Sequence, residues 1–289
     1  MSAGKRLPGT PEPEHRWQGQ GDVIIAGDSF GDPDGQLVVL QHGGGQTRHA
    51  WKGAGETLGQ AGYHVLAIDA RGHSDSSWAP ADEYGVEFMV ADLKAVVDSF
   101  GKRPILVGAS MGGGTSLVAI GEQHIDAAAL VLVDMAPRLE PSGTRKIQEF
   151  MNQKPEGFDS LEEVAEAISN YQPHRKRPRK LDGLAKNVRL GDDGKYHWHW
   201  DPARRNTRRM SHYIDRLSAA ADNLTLPTLL VRGGLSDVLT EEGAQSFLQQ
   251  CPHAEYVNVQ NAAHMVAGDR NDIFSDAVIE FLKRTVPPN

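Results

Sequence analysis

This sequence predicts an α/β fold: a mostly parallel sheet flanked by helices, with a mainly helical segment inserted before the last strands. Three observations predict it. Short, continuous apolar runs recur with helix-spaced apolar positions between them. That alternation breaks once, in the second half of the chain, where the charge balance also changes sign. A glycine-flanked serine stands between one apolar run and a glycine-rich helix start.

The expected strands are Leu37 to Leu40, Val65 to Ile68, Ile105 to Val107, Ala128 to Val133, Thr228 to Val231 and Tyr256 to Val259. Runs that are apolar throughout, without polar alternation, suit strands covered on both faces, as parallel strands are. Between the second and third runs, Val86, Met89, Val90, Leu93, Val96, Val97 and Phe100 fall at helical spacing, and Ile273, Phe274, Ala277, Val278, Phe281 and Leu282 do so near the C-terminus. Strands alternating with helices imply parallel pairing through right-handed crossovers. The alternation stops after Pro137 and resumes near Leu226, so residues 137–220 are expected to form a cap, and 1–136 with 221–289 the core domain. Within the cap, Ser160 and Glu163 form a capping-box signal ahead of Leu161, Val164, Ala165 and Ile168. Residues 191–202, GDDGKYHWHWDP, read as a turn leading into an aromatic segment.

With 289 residues, 39% hydrophobic and 24% charged, the chain has ordinary globular composition. The formal net charge is −8, yet the span from Pro137 to Ala220 carries 17 Lys and Arg against 12 Asp and Glu. Its basic runs HRKRPRK (His174 to Lys180) and RRNTRR (Arg204 to Arg209) could face an anionic substrate or form a solvated surface. Overall acidity and the lack of a recognised binding module argue against nucleic acid. Neither the first sixteen residues nor any later stretch offers a signal-peptide core or a membrane span, so a cytoplasmic protein with no membrane partner is expected. Cys251 is the single cysteine, which excludes an internal disulfide, and its neighbours Gln250 and Pro252 suit a packing thiol.

Gly108-Ala109-Ser110-Met111-Gly112 follows the strand Ile105 to Val107 and leads into a helix. A nucleophile raised on such a strained strand-to-helix turn needs glycine two positions either side, because a Cβ there would meet neighbouring backbone. A serine hydroxyl becomes nucleophilic only with a base to take its proton and an acid to orient that base. His264, in NAAH just past Tyr256 to Val259, is the expected base. The expected acid is Asp237, in RGGLSD just past Thr228 to Val231, with Asp134, at the end of Ala128 to Val133, as the alternative. Both lie where open α/β sheets gather functional groups, at carboxyl ends of strands. One oxyanion donor is expected at the Met111 NH, where a helix starts, and the glycine loop His42-Gly43-Gly44-Gly45-Gln46 is the candidate for the second. Trp198, in the aromatic segment, is a candidate substrate contact, with cap anchoring as the plainer reading. No metal or organic cofactor is expected, since His42, His197 and His199 lack a surrounding ligand set.

The motifs HGGGQTRHAW (His42 to Trp51), DARGHSDS (Asp69 to Ser76), GASMGG (Gly108 to Gly113), RGGLSD and NAAH together resemble the α/β-hydrolase superfamily, in its cap-bearing branch. The resemblance covers nearly all of the chain. It implies that the second oxyanion NH belongs to Gly44, that Asp69, Arg71 and His73 form a structural strand-end turn, and that the cap shapes specificity. Epoxide hydrolases and haloalkane dehalogenases of this branch carry Asp at the nucleophile, where this chain has Ser110. The expectation is therefore an esterase acting on a small carboxylic ester, through an acyl-enzyme. Cofactor-free haloperoxidase or perhydrolase chemistry, carbon-carbon bond hydrolysis and lactone hydrolysis are the enzymatic alternatives, and a ligand receptor is the non-enzymatic one.

Overall fold

The computed structural model describes residues 4–173, 181–205, 210–269 and 271–288. In chain order the elements are β1 (His15–Gln18), β2 (Ile24–Phe30), β3 (Gln36–Gln41), α1 (Lys52–Gln60), β4 (Tyr63–Ile68), α2 (Val86–Asp98), β5 (Ile105–Ala109), α3 (Met111–Gly121) and β6 (Ala129–Val133). There follow α4 (Pro141–Asn152), α5 (Leu161–Tyr171), β7 (Val188–Leu190), β8 (Tyr196–Trp198), α6 (Met210–Asp222), β9 (Thr228–Gly233), α7 (Glu241–Gln250), β10 (Glu255–Val259), α8 (Val266–Asp269) and α9 (Asn271–Thr285).

All six expected strands form, as β3, β4, β5, β6, β9 and β10, and they pair in parallel. Eight strands make one sheet in the order β1-β2-β4-β3-β5-β6-β9-β10. The two at the β1 edge are antiparallel additions that the apolar runs did not mark. Their sequences explain this: β2 reads IIAGDSF, half polar, and β1 alternates half-buried with exposed positions, as an edge strand does.

Alternate residues of β3 enter opposite cores, which is why its run is apolar throughout. Leu37 and Val39 pack with α2, α3, α6 and α7, while Val38 and Leu40 pack with α1 and α9. Each such aliphatic side chain, wholly removed from water, contributes on the order of 1.5–3 kcal/mol of transfer free energy. Cys251 is buried in the first of these cores, its thiol on the Ala221 carbonyl at 3.1 Å, and burial raises its pKa to about 11.

The chain between β6 and β9 has two parts. Helices α4 and α5 and the β7–β8 hairpin share a small core of Phe158, Val164, Val188, Trp198 and Trp200. The Ser160 hydroxyl caps α5 by accepting from the Glu163 NH at 3.2 Å, as the sequence signal predicts. Helix α6 behaves differently. Its Leu217, Ala220 and Ala221 belong to the main core, beside Leu117 and Val118 of α3. The stretch expected to end the cap at residue 220 thus includes a helix that packs as part of the core layer. The basic run 174–180 and residues 206–209 of the second run lie outside the described residues.

Candidate active site

The turn after β5 has the form expected of a nucleophile elbow. Ser110 takes φ 48 and ψ −112, a left-handed conformation that costs free energy in a residue with a Cβ. A Cβ on Gly108 would stand 2.4 Å from the backbone of Gly112, and one on Gly112 would stand 2.5 Å from the Gln41 carbonyl. The two glycines are therefore what allow strand, serine and helix to stack this closely. The Ser110 NH is already given to the Val133 carbonyl at 3.1 Å, which ties the elbow to the next strand.

His264 follows β10, and its Nδ1 lies 2.7 Å from Oδ2 of Asp134. This corrects the assignment of Asp237. Asp134 is fully buried at the end of β6, with φ 49, and its two oxygens are held from the far side. Oδ1 accepts from the Gly233 NH at 2.9 Å and Oδ2 from the Ser236 hydroxyl at 2.5 Å. Asp237 is half-exposed and salt-bridged to Lys146 of α4 at 2.6 Å. The physical reason lies in the turn 233–236. Gly233 and Ser236 present an NH and a hydroxyl to Asp134, and the chain then leaves the sheet edge, so Asp237 faces the cap helix. The glycine-bearing turn that suggested a carboxylate aimed at His264 is used to clamp the carboxylate of the neighbouring strand.

The glycine loop after β3 is oriented by neutral histidines. His42 Nδ1 donates to the Gly43 carbonyl at 2.8 Å and its Nε2 accepts from the Ala70 NH at 3.0 Å. His73 Nε2 accepts from the Gly45 NH at 3.2 Å, and His199, at the end of β8, reaches the Gly45 carbonyl at 3.3 Å. Burial drives His42 down to about 4 and holds His73 and His199 well below the ordinary histidine range, so all three are uncharged at neutral pH. The Gly43 NH goes to Gln46 Oε1 at 2.9 Å. Among the described residues, no acceptor takes the NH of Gly44 or of Met111. These are the two donors expected for an oxyanion, and Gly43 lies against the elbow: a Cβ built on it would stand 3.3 Å from the Ser110 Cβ.

The strand-end turn is structural, as the resemblance implies. Asp69 binds the Arg48 NH at 2.7 Å and its guanidinium at 2.6 Å, and Arg71 is paired with Asp92 at 2.6 and 2.8 Å. Sequence reasoning missed the way this turn holds the cap. Arg189 of β7 binds Asp75 at 3.0 Å and Ser74 at 3.2 Å, and His199 Nδ1 accepts from the Ser74 NH at 3.0 Å. No local sequence signal marks Arg189, because its partners are more than a hundred residues away.

Ser110 and His264 line one cavity of about 350 Å³. Phe150, Tyr171, Trp198 and Trp200 supply aromatic wall from the cap, and Gly44, Gln46, Lys186 and Asn187 supply polar groups. Trp198 has both of its expected roles open to it: its ring stacks on Trp200 at 4.8 Å between centroids, and it also lines the cavity. Among the described residues no group of three or more His, Cys, Asp or Glu is placed to hold a metal ion, and no helix is long and apolar enough to cross a membrane.

Comparison with known proteins agrees with this architecture. A mouse (Mus musculus) sn-1-specific diacylglycerol lipase is 26% identical over 266 residues, which span 87% of this chain and 82% of the relative. An esterase of Mycobacterium tuberculosis is 27% identical over 244 residues, spanning 81% and 78%. The crystal structure of that esterase superposes with a TM-score of 0.73 at 26% identity, covering 94% of this chain and 92% of the other. The family model described as alpha/beta hydrolase fold matches residues 36–270, from β3 through the His264 loop. The chain belongs to the α/β-hydrolase family and is an enzyme of that fold, whose relatives include ester hydrolases.

Proposed function

We propose that this protein hydrolyses a carboxylic ester of a small molecule through an acyl-enzyme on Ser110. The observation that carries the reading is the 2.7 Å contact between Asp134 and His264, in a cavity that also exposes the Ser110 elbow. With Nδ1 turned to a buried carboxylate, the imidazole keeps Nε2 as its free basic nitrogen, the tautomer a general base needs. Ser110 Oγ attacks the ester carbonyl while its proton passes to His264. The tetrahedral oxyanion is held by the NH groups of Gly44 and Met111. His264 then returns the proton to the departing alcohol, leaving an acyl-serine. A water molecule, deprotonated by the same imidazole, attacks that acyl group, and the proton goes back to Ser110 as the acid leaves. Asp134 takes no proton in any step; it orients the imidazole and stabilises the imidazolium. No step draws on a metal or an organic cofactor.

A panel of p-nitrophenyl esters from acetate to decanoate, with and without hydrogen peroxide and halide, tests this reading. Ester turnover that is lost on covalent labelling of Ser110 by an organophosphate supports it. A label recovered on another residue, or no turnover of any ester, overturns it. Peracid formation outrunning hydrolysis would move the reaction to perhydrolysis on the same groups.

A further inference from the structure

The cavity wall contains one cation whose position the ester chemistry does not explain. Lys186 sits in the short helical turn Asp182–Asn187, just before β7, and lines the cavity that holds Ser110 and His264. Among the described residues it makes no ion pair or hydrogen bond to any carboxylate, in contrast to Lys146 and Lys195 of the cap, which are paired with Asp237 at 2.6 Å and Asp159 at 3.1 Å. Burial lowers the pKa of Lys186, repulsion from Lys52 lowers it further, and its own charge pushes down His49, another cavity residue. A partly buried lysine with no acid partner is unfavourable unless an anion joins it.

Resting on the ester-hydrolase reading, we propose that Lys186 is a specificity residue that binds a carboxylate on the substrate, so that the enzyme prefers esters carrying a free acid group. The rest of the wall fits such a molecule. Phe150, Tyr171, Trp198 and Trp200 receive an apolar body, and Asn187 beside Lys186 offers an amide donor. A carboxylate bound there would form a charge-assisted hydrogen bond to a partly desolvated ammonium, which is stronger than the same bond in open water. It would also offset the desolvation that lowers the pKa of Lys186.

The test compares mono-p-nitrophenyl half-esters of succinate, glutarate and adipate with their neutral methyl diesters of equal length. Wild-type enzyme should show kcat/KM about 10- to 100-fold higher for the best-fitting acid than for its methyl ester, chiefly through KM. The ratio should fall to about one in Lys186→Met, persist in Lys186→Arg, and drop below one in Lys186→Glu. Turnover of the neutral esters with no preference for the acids in the wild type overturns this proposal and leaves the ester-hydrolase reading standing. An enzyme that cleaves none of them defeats that reading, and glutarate binding then decides the proposal by itself. Isothermal titration of Ser110→Ala protein should give a glutarate affinity that weakens at least about tenfold when Lys186→Met is added. Equal affinity in both proteins, or no binding to either, overturns it.

Discussion

The loops that follow β6 and β9 begin from adjacent parallel strands and each carries an aspartate near the strand end, yet the two carboxylates have opposite fates. Asp134 is fully buried, accepts from Gly233 and Ser236, and meets His264 at 2.7 Å. Asp237 is half in solvent and tied to Lys146 of the cap. Position at a carboxyl strand end therefore does not by itself bring an acid to the histidine. The carboxylate must also be desolvated and held by fixed donors, and the β9 loop supplies those donors to its neighbour's aspartate instead of its own. The comparison predicts that one carboxylate governs turnover and the other affects only cap docking.

The largest effect is expected at the nucleophile that His264 and its acid would serve. Ser110→Ala should lower ester turnover by about 10⁴- to 10⁶-fold while circular dichroism and melting temperature stay near wild type. Residual activity within tenfold of wild type would remove the premise of the comparison. Next comes Asp134→Asn, which should cut kcat by about 10²- to 10⁴-fold at neutral pH, because the amide favours the wrong imidazole tautomer. Unchanged kcat in that variant, measured on the ester the enzyme hydrolyses fastest, breaks the comparison outright.

Two further expectations concern stability. Trp198→Ala removes a ring packed against Phe150, Phe158 and Trp200, so it should cost about 3–5 kcal/mol within the cap. Thermal denaturation should show an earlier transition. An unaltered melting curve with a changed ester ranking would make Trp198 a substrate contact alone. The buried histidines set the pH response. His42 and His49 are lowered to about 4 from an ordinary value of 6.5, and His73 and His199 are lowered as well. As pH falls below about 6.5 the unfolded chain gains protons that the folded chain refuses, so stability is full above that value and declines toward pH 4. Urea midpoints measured between pH 7.5 and 4.5 should fall steadily, and a flat profile contradicts the neutral assignment. The smallest effect belongs to Asp237→Asn. Loss of one exposed ion pair should leave the melting temperature near wild type and shift kcat by less than about threefold. A hundredfold loss there would restore Asp237 as the acid.

The features legible in the chain are those whose cause is local. Continuous apolar runs fixed five strands, β3, β4, β5, β6 and β9, since a strand covered on both faces is mostly apolar, while the edge strand β10, with Glu255 and Asn258, was marked by a run that Asn258 interrupts. Helix-spaced valines and leucines fixed α2, and Ser160 with Glu163 fixed the start of α5. The elbow was legible because a glycine-flanked serine follows an apolar run, and Gly108 is demanded by a clash with Gly112 and Gly113 within five residues, although the clash that demands Gly112 is with Gln41 of β3, a contact made only in the folded sheet. Only the tertiary structure decided among groups brought together from distant segments. Whether Asp134 or Asp237 meets His264 depends on how the turn 233–236 spends its donors across a strand boundary. That α6 joins the core layer depends on its apolar face meeting α3, a pairing that periodicity does not encode. The unpaired state of Lys186 likewise depends on which acids the folded cap brings near and which it takes away, and long-range electrostatics of that kind leaves no local signature in a chain.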